Sequence, residues 1–339
     1  MAKAFISGCS GQALTNEEVM FFKSEDPWGL ILFRRNIDNP QQVRDLTRSF
    51  RDAVGRDDAP VLIDQEGGRV MRLRPPHWPS FPPQKLFGDL FLTEPKRARE
   101  AAFLGARLIA HELRDLGINV DCLPCLDVSF PETVDAIGDR SLSADPAIVG
   151  DLGRKVSEGL LAGGVLPVIK HLPGHGRSLI DSHLDLPRIP AALDDLEMVD
   201  FSPFKVLADL PLAMTAHLLY ETIDPNTPAT QSQKVIAEII RGAIGFDGCL
   251  MSDDISMKAL GGDMLDRARK TFAAGCDIVL HCNGEIAEMK AVAAASPTLG
   301  GRSLERCETA LRRISAPIAE FDAGAARARF DDLIAPLVA

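Results

Sequence analysis

The chain has 339 residues, of which 46% are apolar and 25% charged, so it carries ample material for a core and no long stretch is expected to be disordered. Its 37 basic and 48 acidic residues give a formal net charge of −11, and no basic cluster stands out. That balance argues against nucleic acid or another polyanion as a partner. The length fits one elaborated α/β domain, and we predict a single domain over residues 1–339.

The amino-terminal segment and the cysteines point to the compartment. Residues 1–9 hold one lysine and an apolar segment too short for a secretory signal, and no run approaches the ~18 apolar residues of a membrane span. Seven cysteines, an odd number scattered along the chain, favour reduced thiols. We therefore expect a cytoplasmic protein that does not contact a membrane.

Short apolar runs alternate with helical patterns along the whole chain. The runs predict eight strands, at Ala4–Ser7, Gly29–Phe33, Pro60–Asp64, Ile118–Leu126, Val165–Lys170, Leu212–His217, Cys249–Asp253 and Ile278–Cys282. The helical patterns lie at Pro40–Ala53, Glu100–Leu116, Pro146–Ala162, Leu196–Leu210, Ser232–Ile244 and Leu265–Ala274. The alternation is that of an α/β (β/α)₈ TIM barrel, although a doubly wound sheet has the same pattern.

Polar residues follow the ends of these predicted strands, which favours the barrel because its active-site loops meet at the carboxyl ends of the strands. They are Arg34, Arg35, Asp64, Asp127, Lys170, His171, His217, Asp253, His281 and Asn283. A doubly wound sheet that binds a dinucleotide has a glycine-rich turn after its first strand, and Gly8–Gly11 matches that fingerprint poorly. The proline-rich stretch Pro75–Pro83 predicts an irregular loop and not a linker between domains.

Residues 170–183 carry the densest polar chemistry and follow the buried run Val165–Ile169. Lys170 and His171 are placed at the carboxyl end of that predicted strand. Asp181 and His183 are one residue apart, so the carboxylate can orient the imidazole and stabilise its protonated form. Histidine also suits proton transfer near neutral pH. The alternative is a histidine that only pins a loop.

Two further segments combine acidic residues with a strand end. Asp253 and Asp254 end an apolar run, and because side chains alternate along a strand we expect one of them to reach the barrel mouth. That carboxylate is suited to a nucleophile or to stabilising a cation; alternatively both acids cap the next helix. In residues 64–72, paired glycines permit a tight turn that brings Asp64, Arg69 or Arg72 over a ligand, the alternative being a plain strand-to-helix turn.

Five motifs together resemble one family: DQEGGRV at 64–70, IGDRS at 137–141, KHLPGHG at 170–176, DSH at 181–183 and FDGxxxSDD at 246–254. They are similar, in order and from about residue 30 to 283, to the single-domain bacterial β-N-acetylhexosaminidases of glycoside hydrolase family 3. The resemblance implies a (β/α)₈ barrel that removes non-reducing terminal β-N-acetylglucosamine with net retention. It further implies cell-wall muropeptide fragments as substrates, in peptidoglycan recycling, and no cofactor.

The resemblance also assigns roles to residues. Asp253 matches the nucleophile that forms a covalent glycosyl-enzyme, His183 the acid/base and Asp181 its partner. Positions that hydrogen-bond the sugar match Asp64, Arg72, Arg140, Lys170 and His171. Leu142, Leu172 and Ile255 depart from the usual pattern, and we expect them to alter the pocket wall.

Three alternatives remain open beside this prediction. A neutral histidine as acid/base would not repel phosphate, so the same site would also suit a β-N-acetylglucosaminide phosphorylase. A metal-dependent hydrolase would use His171, His175, His183 and Asp253, but its usual His-x-His is missing from the first strand, and Cys122 and Cys125 are better explained as buried thiols than as zinc ligands. A non-catalytic sugar-binding barrel would not explain Asp253 together with the Asp181–His183 dyad. We expect a monomer with a small carbohydrate substrate.

Overall fold

Eight parallel strands close into a barrel in the computed structural model of the chain. The structure describes residues 1–182, 184–315 and 317–338, with side chains up to residue 335. The barrel strands are β1 (Lys3–Ser7), β2 (Pro27–Leu32), β3 (Val61–Ile63), β4 (Val120–Asp121), β5 (Leu166–Leu172), β6 (Leu212–Thr215), β7 (Cys249–Asp254) and β8 (Ile278–His281). Each pairs with its neighbour in chain order and β8 pairs with β1, which confirms the predicted (β/α)₈ barrel.

The strands read as continuous apolar runs because both of their faces are buried, as in other parallel sheets. Alternate side chains divide between two cores. In β1, Phe5 packs in the outer core between strands and helices, whereas Ala4 and Ile6 belong to a second core to which all eight strands contribute. This second core fills the barrel interior, so the space for a ligand lies above it, at the strand ends.

Helices surround the barrel. The α-helices span Asn16–Glu25, Pro40–Val54, Lys85–Phe91, Pro95–Asp115, Pro146–Ala162, Leu193–Asp195, Ser202–Val206, Met264–Ala274, Ile286–Ala295, Gly301–Arg312 and Ala323–Val338. Leu196–Asp200 and Val235–Ala243 are π-helical, and short 3₁₀ turns lie at Arg34–Asn36, Gly138–Arg140 and Ala229–Gln231. Among the described residues, no helix is both long and apolar enough to cross a bilayer.

Local chemistry explains where the best-predicted helices begin and end. Helix Pro40–Val54 starts at Asn39, whose side chain accepts a hydrogen bond from the Gln42 amide, and it ends at Gly55 in the left-handed region. Helix Pro146–Ala162 has the predicted bounds, and its N-terminus is capped by Asp145, whose side chain accepts a hydrogen bond from the Ala147 amide.

Elsewhere the predicted helices differ from the structure. The predicted helix Leu196–Leu210 is broken into π-helical Leu196–Asp200 and helix Ser202–Val206. Proline at position 203 has no N–H to continue the helical hydrogen bonds, which suits a new first turn there. The helix predicted over Glu100–Leu116 begins five residues earlier in the structure, at Pro95.

Candidate active site

A cavity of about 380 Å³ opens at the carboxyl ends of the barrel strands, within the size range of small-ligand sites. It is lined by seven of the eight predicted site residues: Asp64, Arg72, Arg140, Lys170, His171, Asp181 and Asp253. The eighth, His183, lies outside the described residues. A larger cavity, of about 530 Å³, lies at the opposite end of the barrel beside residues 117–119, which precede β4, and the described residues that line it include none of these predicted ones.

One wall of the cavity is a network of buried ion pairs centred on Lys170, whose side chain is 2% exposed. Its Nζ lies 3.0 Å from a carboxylate oxygen of Asp64 and 2.5 Å from one of Glu66. Burial alone would lower the pKa of the lysine, but the two carboxylates outweigh burial and raise it well above its usual range. Lys170 is therefore a fixed positive charge at the mouth of the barrel.

Arginines complete the same network from two other loops. Arg72 Nη2 donates to Asp64 over 2.8 Å, and Arg140 forms a bidentate pair with Glu66 over 2.8 and 2.9 Å. Burial would raise the pKa of the Asp64 carboxyl, yet the charges of Lys170 and Arg72 together hold it well below its usual range. The wall thus carries both ionised acceptors and donors, as recognition of several sugar hydroxyls requires.

The turn that carries Asp64 and Arg72 is a small antiparallel hairpin, in which Gln65–Gly67 pairs with Val70–Met71. The predicted tight turn is confirmed and the strand-to-helix alternative is wrong. Gly67 has φ 101°, and a Cβ atom there would lie 2.1 Å from the Pro82 carbonyl oxygen. Glycine is therefore required for the hairpin to return Arg72 to the cavity.

Glu66 had no predicted role, and it supports the site from behind the cavity, which it does not line. It is 1% exposed and holds both Lys170 and Arg140. A signal was available, because Asp64 and Glu66 are two residues apart and so share a face in extended backbone. Its pKa is lowered because Arg140 and Lys170 together outweigh the effect of burial.

His171 is oriented by Asp127, which also had no predicted role beyond its strand-end position. Nδ1 of His171 lies 2.6 Å from Asp127 Oδ2, and Asp127 Oδ1 accepts the main-chain amides of His171 and His175. Because Nδ1 is engaged with Asp127, the cavity-lining ring presents its other edge to a ligand.

The same 170–176 motif ends in a required glycine. A Cβ atom at Gly176 would lie 1.7 Å from the Val128 carbonyl oxygen, so no other residue fits there.

Asp253 and Asp254 end β7 at the cavity, and both line it, so the prediction that one alone would reach it is wrong. They differ in what they bind. Asp254 accepts hydrogen bonds from the amides of Ser256 and Cys282 and from the Ser256 hydroxyl, as a carboxylate that caps a turn does. Asp253 Oδ1 accepts the Asp254 amide at 2.8 Å.

Several other strand-end residues hold loops together and do not line the cavity. Arg35 donates to the carbonyl oxygens of Cys9 and Cys282. His217 bonds Thr230 and the main chain of Asp254, and both His281 and Asn283 bond Glu288. Leu142, Leu172 and Ile255 are buried in the outer core, so the expectation that they alter the cavity wall is wrong.

In the part of the chain that the structure describes, one group of three potential metal ligands lies within 4.8 Å: Cys125, Asp127 and His171. Their atoms already bond one another, since Cys125 Sγ lies 3.2 Å from Asp127 and His171 Nδ1 bonds the same carboxylate. Burial raises the pKa of the Cys125 thiol well above its usual range, which disfavours the thiolate that a metal prefers. Asp253 is not part of this group. Among the described residues, this arrangement does not resemble the metal site that the hydrolase alternative requires; His183, one of its four ligands, lies outside them.

Comparison with known proteins decides the family. Residues 11–316, or 306 of the 339 residues, match the glycosyl hydrolase family 3 N-terminal domain. The chain belongs to glycosyl hydrolase family 3. It is 36% identical over 277 residues to a β-hexosaminidase of Methylobacillus flagellatus, which covers 80% of this chain and 78% of that protein.

Solved structures of family 3 enzymes share the fold. NagZ from Neisseria gonorrhoeae, in complex with N-trifluoroacetyl-D-glucosamine, matches 98% of both chains with a TM-score of 0.87 and 30% identity. A family 3 β-N-acetylglucosaminidase from Paenibacillus matches 97% of this chain and 66% of its own, with a TM-score of 0.85 and 27% identity. The chain is accordingly a glycoside hydrolase of the β-hexosaminidase type, as the motifs predict.

Proposed function

We propose that the protein is a retaining exo-β-N-acetylglucosaminidase that works as one domain over residues 1–339. The observation that carries the proposal is the single cavity lined by Asp253, Asp181 and the five predicted sugar-holding residues. N-Acetylglucosamine is favoured as the sugar because a β-N-acetylglucosaminidase and an enzyme crystallised with an N-acylglucosamine analogue share this fold over nearly the whole chain.

Asp253 is the nucleophile in this proposal. Its carboxylate attacks the anomeric carbon from below the sugar, the glycosidic bond breaks, and a covalent glycosyl-enzyme forms. Water then releases the sugar with net retention. Asp253 suits the role because it lies at the end of β7, on the rigid barrel, where the main chain of its neighbour Asp254 is anchored by His217.

The acid/base is His183, with Asp181 as its partner. His183 protonates the departing oxygen in the first step and removes a proton from water in the second. The assignment is supported by Asp181, which lines the same cavity as Asp253.

The ion-pair wall holds the sugar. Asp64 is ionised and accepts hydrogen bonds from hydroxyls, while Arg72, Arg140 and Lys170 donate. Because these groups are already fixed by one another, little reorganisation is needed when the sugar binds. His171 adds a polar edge oriented by Asp127.

The physiological substrate that we propose is a small N-acetylglucosaminyl muropeptide released from the cell wall and processed in the cytoplasm by a monomeric enzyme. The support is the family resemblance together with the cavity volume of about 380 Å³, which suits a terminal sugar. Turnover of purified muropeptides beside chitin fragments would test this choice.

The first experiment compares an aryl β-N-acetylglucosaminide with the matching aryl β-glucoside, using wild type, Asp253→Asn and Asp254→Asn. We expect wild type to cleave only the acetamido sugar and Asp253→Asn to lose at least about 10³-fold in kcat/KM. Proton NMR of the first product should show the β-anomer, and an activated 5-fluoro glycoside should label the peptide that contains Asp253. The adjacent Asp254 is the matched control, since it caps a turn and should retain far more activity.

Three results would contradict the proposal. An α-anomer as the first product would exclude retention. A label on another residue would exclude Asp253 as the nucleophile. Failure of the folded wild type to cleave either glycoside would restore the sugar-binding alternative.

A further inference from the structure

His175 is a buried histidine of the 170–176 motif that the proposed reaction leaves without a role. It is 3% exposed, its main-chain amide donates to Asp127 over 2.6 Å, and its ring packs edge-on against His171 with centroids 5.6 Å apart. Burial lowers the pKa of His175 to about 4, so the ring is neutral near pH 7. It is therefore poorly suited to be the acid/base itself.

The Nε2 atom of His175 reaches into the loop that carries the proposed dyad. It lies 3.2 Å from the hydroxyl oxygen of Ser182, the residue between Asp181 and His183. Ser182 is itself 4% exposed, and its carbonyl oxygen accepts the Ala259 amide at 3.3 Å. Ser182 is thus held from two sides, by the motif that follows β5 and by the loop that follows β7.

Three apolar residues of this loop are exposed. Leu179, Ile180 and Leu184 are 69%, 45% and 66% exposed, although all three are apolar. Ser182 contrasts with these residues, because it is buried in the same segment. A fixed point next to Asp181 restricts the positions that the Asp181 side chain can reach.

We infer that His175 is a positioning residue that acts through Ser182 to hold the Asp181–His183 dyad over the glycosidic oxygen. The inference rests on the proposed function and deepens it. His175 does not touch the reacting atoms in this scheme. It supplies a neutral hydrogen-bonding edge, and either imidazole tautomer can serve because a hydroxyl both donates and accepts.

The test uses the leaving-group dependence of the rate, which a purely structural role would not change. A dinitrophenyl glycoside needs almost no protonation, whereas an alkyl β-N-acetylglucosaminide depends on the acid. We expect Ser182→Ala and His175→Leu to lower kcat/KM for the alkyl substrate by about 3- to 10-fold, the value of one hydrogen bond, and for the dinitrophenyl substrate by less than about 2-fold. His175→Gln, which keeps a polar group at a similar reach, should recover part of the loss.

Two further variants sharpen the design. The double variant His175→Leu/Ser182→Ala should lower kcat/KM for the alkyl substrate no further than the more damaging single variant does, because both substitutions remove the same contact. Ser157→Ala is the matched control, since it removes a buried hydroxyl that donates to Gly153 within a helix on the outside of the barrel, and it should leave both substrates unaffected.

The outcomes separate this inference from the proposed function. His183→Ala sets the benchmark, with a large loss on the alkyl substrate and a small one on the activated substrate. If His183→Ala shows no such difference between the two substrates, the acid/base assignment fails, and the positioning role of His175 fails with it. A second outcome is that His183→Ala shows the difference but Ser182→Ala lowers the rates on both substrates equally. A third is that the losses of His175→Leu and Ser182→Ala add in the double variant. Either of these would overturn only the positioning role of His175. Ser182→Ala is the smallest change and keeps the test valid if His175→Leu does not fold.

Discussion

The two sides of the candidate site are built in opposite ways. On one side, Glu66 and Lys170 are 1% and 2% exposed at the side chain and are locked by ion pairs on strand ends and a hairpin. On the other, the loop around Asp181 carries Leu179 and Leu184, which are more than 60% exposed. The groups proposed to hold the sugar are therefore fixed by one another before it binds, whereas the described loop beside the proposed acid/base places apolar side chains at the surface.

The physical reason is the cost of burying charge. A buried carboxylate or ammonium must be paired, so each member of the wall depends on the others. An exposed loop carries no such requirement and tolerates changes.

Glu66→Gln should destabilise the protein most, because it leaves Arg140 buried without its carboxylate partner. We expect a loss of about 3 kcal/mol or more in the free energy of unfolding, measured by urea denaturation, together with a raised KM. Glu100→Gln is the control, since Glu100 pairs with Arg329 at the surface and should cost less than about 1 kcal/mol. Equal losses in the two variants would refute the rigid-wall description.

The stability contribution of His175 should depend on pH. Its pKa is about 4 in the folded protein, because burial outweighs the nearby charges of Asp127 and Asp253, while the ring of His171 lowers the pKa further. The unfolded chain, with a pKa near 6.5, binds more protons between pH 4 and 6.5, so stability falls as pH falls through that window. The difference in unfolding free energy between wild type and His175→Gln should change by up to about 3 kcal/mol over it. A difference independent of pH would show that His175 is not buried and neutral.

Arg140→Lys should weaken sugar binding without removing the charge. Lysine cannot reproduce the bidentate pair with Glu66, so the position of the cation changes. We expect KM to rise by about 10-fold, equivalent to about 1.4 kcal/mol, with a smaller change in kcat. An unchanged KM would place Arg140 outside the sugar-holding wall.

Leu179→Ser should have the smallest effect. Its side chain is 69% exposed, and a surface substitution normally changes the free energy of unfolding by no more than about 0.5 kcal/mol. Thermal denaturation beside Leu172→Ser, a fully buried position, checks the contrast within the same segment. A large loss from Leu179→Ser would mean that this loop is packed as firmly as the wall.

Local sequence was enough for the barrel. Each of the eight apolar runs became a barrel strand, because a strand buried on both faces must be continuously apolar. Helix Pro146–Ala162 was predicted with its observed bounds from the helical pattern, and in the structure Asp145 caps it and a proline stands in its first turn. Helix Asn16–Glu25 was missed, although Thr15 and Glu18 form a capping box that the sequence displays. The alanine-rich helix Ile286–Ala295 has little amphipathic pattern and was missed for that reason.

The fold class, the family and seven residues that line one cavity could all be predicted from the sequence. These follow from local patterns and from motifs whose spacing is visible in one dimension. The roles of other polar residues near the strand ends depend on tertiary contacts: Arg35 and His281 hold loops, Glu66 supports the ion-pair wall, and His175 contacts Ser182. These contacts depend on which loops the closed barrel brings together. Packing and charge pairing between segments that are distant in the chain then decide where each side chain points.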